Sequence, residues 1–147
     1  MSRYVSPDVR REVAARADFL REYCLIAEED TFFGCEVEHI ISLKHGGSSE
    51  SSNLAYACAF CNRHKGSDIG SVSAAGEFSR FFNPRTDRWA EHFRLSTTVI
   101  QPLTVVGEVT ARVLRFNHPE QLLERARLIA VGRYPHAAAL ARMKDRP

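Results

Sequence analysis

The sequence predicts an α+β fold in which an N-terminal helix leads into a short strand, loop, strand and helix unit, followed by a hairpin-plus-helix extension. Three observations predict it. Ser6-Pro7-Asp8 combines a capping hydroxyl, a proline suited to the first helical position and an acid at the positive end of the helix dipole. Val9, Val13, Ala17 and Leu20 then recur at helical spacing and carry this helix to about Tyr23. From Thr31 to Leu43, β-branched and aromatic residues surround the acids Glu36 and Glu38, ahead of His45-Gly46-Gly47 and a run of serines; this is the pattern of a strand, a turn and a polar loop. Asn53-Leu54-Ala55 leads as a second short strand into Cys58-Ala59-Phe60-Cys61, and Asn62 to Lys65 suit a short helix that Gly66 ends.

Beyond Asp68 a stretch rich in glycine and serine, 68–77, is the candidate linker, and Phe78, Phe81, Phe82, Trp89 and Phe93 then supply rings for a core. Val99 to Phe116 has strand-like composition interrupted by Pro102 and Gly107, Pro119-Glu120 opens a helix reaching about Val131, and Ala137 to Met143 suits one more. A chain of 147 residues accommodates a single core. The expectation is one domain over 1–147, with its chemistry in 20–68 and an accessory extension over 78–147.

Hydrophobic residues at 44% and charged residues at 26% match a packed globular chain and exclude a largely disordered one. A net charge of +2 permits a polyanionic partner without requiring one. Met1 to Arg11 offers no apolar core for a signal peptide, and no uninterrupted apolar run is long enough to span a membrane. The expected setting is therefore cytoplasmic and reducing, where cysteines serve as metal ligands, catalytic groups or buried fillers more often than as disulfides.

The informative pattern is Glu38-His39-Ile40-Ile41, then Gly46-Gly47, then Asn53-Leu54, then Cys58-x-x-Cys61-Asn62-x-x-Lys65-Gly66. In order, spacing and glycine placement it resembles the HNH endonucleases, whose ββα-metal core would give the strand, loop, strand and helix unit its function. Cleaving a phosphodiester needs a deprotonated water, an electrophilic phosphorus and relief for the charge on the leaving oxygen. The resemblance implies that His39 is the general base; an imidazole with an ordinary pKa of about 6.5 suits that task. It also implies that Glu38 and Asn62 hold one divalent cation, Mg²⁺ or Mn²⁺ or another, through hard oxygen donors. Asn62 stands where many relatives have histidine, making this an HNN-type variant, and Glu38 stands where aspartate is more usual. Asn53 corresponds to the residue that ties the loop together. Lys65, one helical turn beyond Asn62, is placed to meet phosphate, and Arg63 and Lys44 are further candidates for the DNA backbone. Consecutive side chains on a regular strand point to opposite faces, so Glu38 and His39 can meet one phosphate only at an irregular strand end or across it.

Many relatives also hold a structural zinc between two C-x-x-C pairs. This chain has Cys58 and Cys61, but upstream Cys24 is accompanied by Arg21 where its partner would stand, and Cys35 is the candidate fourth ligand. A zinc held by Cys24, Cys35, Cys58 and Cys61 and a set of thiols packed as small apolar groups are both open. The functional expectation is a metal-dependent endonuclease acting on DNA, as a monomer or a homodimer. The alternative is a non-catalytic nucleic-acid-binding module on the same scaffold, and an RNase or toxin-like effector would use the same site.

Overall fold

The computed structural model describes residues 4–146; the ends of the anticipated 1–147 span, residues 1–3 and 147, lie outside the described residues. Helix α1 spans Pro7–Arg16, with the Ser6 hydroxyl accepting from the Val9 amide at 3.2 Å and Asp8 in the first turn. It stops seven residues short of the predicted Tyr23. Asp18 and Phe19 take left-handed conformations (φ 54° and 56°) and the Phe19 amide closes back on the Ala14 carbonyl at 3.0 Å, so the apolar period runs on while the backbone turns away. The chain then forms a tight knuckle: Leu20 bridges Ala27, and the Arg21 amide bonds the Ile26 carbonyl at 2.9 Å.

Strand β1 (Glu36–His39) pairs antiparallel with β2 (Leu54–Ala57), matching Glu36 to Ala57 and Glu38 to Ala55. Helix α2 (Ala59–Lys65) follows directly, capped by the Cys58 thiol accepting from the Cys61 amide at 3.3 Å. One face of this two-stranded sheet packs Leu54 and Tyr56 on Val13 and Ala14 of α1 and on Ala17 just beyond it. The other face sets Ala55 and Ala57 into the larger core, which also takes in Leu20, Phe93, Leu114 and Phe116. The alternation of strand side chains divides the two sets.

The anticipated linker contains a strand, β3 (Gly70–Val72), paired with β4 (Phe78–Arg80). Phe81, Phe82, Trp89 and Phe93 are buried as expected, but Phe78 is exposed. After the short α3 (Trp89–His92), β5 (Phe93–Ser96) and β6 (Val99–Pro102) form a third hairpin. Three helices complete the chain: α4 (Val105–Val113), α5 (Pro119–Ala130) and α6 (Ala137–Lys144). The fold is thus α+β, with three two-stranded antiparallel sheets among the described residues.

Helix α4 overturns the strand reading of residues 105–113. Thr104 caps it by accepting from the Gly107 amide at 3.1 Å, and Val109 is fully buried; core packing overrides the β preference of valine. Gly107 permits the contact, since a Cβ there would lie 2.3 Å from the His92 carbonyl oxygen.

The second half of the chain grips the knuckle residue by residue. Arg21 pairs with Glu124, Glu22 with Arg85, the Tyr23 carbonyl accepts from the Trp89 indole at 2.9 Å, and the Cys24 carbonyl accepts from the Tyr134 hydroxyl at 3.1 Å. Gly107→Ala is expected to lower stability by about 1–3 kcal/mol by forcing α4 off α3, seen as a lower urea midpoint with an unchanged slope; an unchanged midpoint would remove the close-approach explanation.

Candidate active site

β1 pairs with β2 along one edge, and its other edge opens on a cavity of about 430 Å³. Glu38, His39 and Asn62 all line that cavity, together with Ser42, Lys44 and Ser67. The alternation problem is met at the strand end: His39 is the last residue of β1, so it and Glu38 reach the same opening from either side of the edge.

Glu38 is only 3% exposed. One carboxylate oxygen accepts from the Tyr23 hydroxyl, and the other lies 3.2 Å from the Lys65 ammonium. Burial pushes the Glu38 carboxyl up, and Lys65 and Tyr23 pull it back. Lys65 is itself 1% exposed and donates to the His39 carbonyl at 3.0 Å. The expected phosphate-binding lysine is therefore an internal counter-ion, and it meets a phosphate only by leaving Glu38. Its position on the helix was readable; the burial of its ammonium was not.

The loop that presents His39 is built by Asn53. Its side chain accepts from the Ile41 amide at 2.9 Å and donates to the carbonyls of Ile41 at 2.8 Å and Ser48 at 2.7 Å. A Cβ on Gly47 would lie 1.7 Å from the Ile41 oxygen and 2.8 Å from the Asn53 amide nitrogen, and Gly46 is left-handed at φ 86°; both glycines are needed for this closure. Ser49, which sequence reasoning did not single out, places its hydroxyl 2.9 Å from His39 Nε2 and so fixes the ring. Its only sequence signal is its place just after the glycine pair.

Asn62 extends its amide nitrogen to Glu36 at 2.6 Å. Glu36, two residues before Glu38, shares its strand face and brings a third oxygen-bearing side chain to the group. That spacing was visible in the sequence, but the Asn62 contact was not. Lys44 and Arg63 are exposed, and Arg63 lies over the Phe60 ring at 5.8 Å. Around the same ring stand His64, at 4.4 Å between ring centres, and His118, at 5.6 Å. Burial, Arg115, Arg63 and His118 together hold His64 below its ordinary pKa. A cationic ridge thus runs from α2 to the turn before α5. Among the described residues, no ion pair involves Lys44, Arg63 or Arg115.

Of the four cysteines, Cys24, Cys58 and Cys61 converge, their sulfurs all within 4.8 Å of one another, and all three are buried. Cys35 stands outside this set: its amide donates to Glu28 at 3.0 Å, and burial together with Glu28 pushes its thiol up to about 12. The guanidinium of Arg21 approaches Cys24 instead, with Nη1 at 3.8 Å from the sulfur. Hydrogen bonds from Cys58 and Cys61, aided by Arg21, hold the Cys24 thiol well below its ordinary range. The hydrogen bond with Cys24 in turn pushes Cys58 up to about 12, against an opposing pull from Cys61, and pushes Cys61 well up. The expected set of four cysteines is thus three cysteines and one arginine.

Residues 22–68 match the HNH endonuclease family, and this span holds Glu38, His39, Asn53, Asn62 and Lys65. Comparison with curated proteins and with solved structures gave no match. The strand, loop, strand and helix unit agrees with the ββα-metal core of that family, so residues 22–68 of this chain match the HNH endonuclease family in sequence and in local fold.

Proposed function

We propose that the chain is a metal-dependent endonuclease that hydrolyses DNA phosphodiester bonds in the cavity beside β1. The observation that carries this reading is the convergence of Glu38, His39 and Asn62 on one opening. His39, held by Ser49 at its Nε2 and by Lys65 at its carbonyl, takes the proton of the attacking water. Glu38 and Asn62 would hold one divalent cation, with Glu36 as a neighbouring oxygen donor. Carboxylate and amide oxygens are the donor types that Mg²⁺ or Mn²⁺ prefers, and the bound cation would offset charge on the leaving oxygen. Lys65 occupies Glu38 meanwhile, keeping an ionised carboxylate inside the protein until a cation competes for it. Asn53 keeps the loop closed around His39.

Lys44, Arg63 and Arg115 mark the path of the DNA backbone, with His118 at the far end of the ridge, so the extension over 78–147 contributes to binding. Phosphate contacts of this kind position a duplex without reading its sequence. We read 1–147 as one domain with 20–68 as its nuclease core. A second reading, a nucleic-acid-binding module without cleavage, is favoured by the fact that both Glu38 oxygens already have partners.

Supercoiled plasmid incubated with Mg²⁺ or Mn²⁺ is expected to be nicked or linearised, with chelator stopping the reaction and His39→Ala slowing it by about 10²- to 10⁴-fold. Cleavage by His39→Ala at the wild-type rate sinks the enzymatic reading, and binding without cleavage in every metal establishes the second one. Lys65→Met is expected to cost about 3–5 kcal/mol in urea unfolding, because it strands a buried carboxylate; a smaller loss than 1 kcal/mol would contradict the counter-ion role. In chelator, where no cleavage occurs, the double variant Arg63→Gln/Arg115→Gln is expected to flatten the salt dependence of duplex binding by about one to two units of slope. An unchanged slope would take the DNA off the ridge.

A further inference from the structure

The two turns that meet at the thiol cluster have parallel sequences, Arg21-Glu22-Tyr23-Cys24 and Cys58-Ala59-Phe60-Cys61. Three of their four terminal residues bring sulfur together within 4.8 Å, and the fourth brings a guanidinium to 3.8 Å from the Cys24 sulfur. Arg21 is 7% exposed, and its guanidinium is held in parallel by both oxygens of Glu124 on α5, at 2.8 Å and 3.2 Å. We propose that Arg21 and Glu124 together replace a fourth metal ligand, so that the knuckle is closed by an ion pair to α5 and not by a bound zinc.

A structural zinc takes four donors in a tetrahedron. A guanidinium has five N–H groups, no lone pair to give, and a charge it never loses. Arg21 cannot complete such a shell, and its double hydrogen bond to Glu124 gives it a geometry of its own. Nor does Cys35 take the vacant role, because its backbone is fastened to Glu28 and its sulfur is not among the three that meet. A metal would have tied the knuckle to α2 alone. The ion pair ties it to a helix 103 residues further along the chain, alongside the bonds that Arg85, Trp89 and Tyr134 make to the next three residues. The clamp reaches the candidate active site through Tyr23, whose hydroxyl donates to Glu38.

The test loads metal-free protein with Co²⁺ and Zn²⁺ and follows the cobalt absorption spectrum and the thermal midpoint, neither of which depends on cleavage. Wild type is expected to show no thiolate-to-cobalt charge-transfer band and no change of midpoint with metal or chelator. Arg21→Cys is expected to bind about one equivalent of Co²⁺ with an intense tetrahedral spectrum and to gain stability with Zn²⁺; folding of this variant only when metal is present is the same result. Glu124→Gln is expected to lower the midpoint by about 5 °C with no recovery on adding metal, whereas Arg21→Cys/Glu124→Gln recovers with Zn²⁺. Stoichiometric thiolate binding of metal by wild type, or a Glu124→Gln midpoint equal to that of wild type, overturns the proposal. Should Arg21→Cys fail to fold under all conditions, those two wild-type and Glu124→Gln measurements still decide it.

Discussion

The buried carboxylate of Glu38 is the joint on which the strand, loop, strand and helix unit is assembled. Tyr23 reaches it from the knuckle, Lys65 from α2, and it stands on β1, so three segments meet at one charge. Removing a carboxylate from water is costly unless an opposite charge and hydrogen bonds accompany it. That requirement locks the three segments in register: a shift of β1 by one residue would turn the carboxylate to the α1 face, and a slip of α2 would withdraw the ammonium. The same ammonium bonds the His39 carbonyl, so the position of the imidazole is set by the group that neutralises its neighbour.

What could be read from the sequence was what short-range chemistry determines. The Ser6 cap, the glycine pair and the Asn53 tie act within a dozen residues, and the two strands pair across a single loop; the structure contains each of them. The start of α5 was equally legible from Pro119. Failures came where distant packing overrode local preference. The valines of α4 favour a strand in isolation, yet burial of Val109 and the close fit of Gly107 on His92 select a helix. The end of α1 was missed because its apolar spacing continues through the left-handed residues Asp18 and Phe19.

At the site, residue types and spacing were legible but partners were not. Glu38, His39 and Asn62 do border one cavity. That Lys65 is internal and that Arg115 joins Arg63 beside His64 depend on contacts between segments far apart in the chain; Ser49 steadies the imidazole from only ten residues away, but no motif marks it. Arg21 was noticed as an intruder in a cysteine pattern, but its partner Glu124 carries no local signal at all. Sequence motifs report which atoms are supplied; only tertiary structure reports which of them are already engaged.

A two-stranded sheet of four-residue strands has little stability alone, and here it is held between α1 and a core of which half the buried residues lie beyond 78. The segment that carries the family pattern is therefore not portable. Excised and grafted elsewhere, it would take its donors and its imidazole along but leave behind the scaffold that orients them, so transplanting the chemistry means transplanting nearly the whole polypeptide.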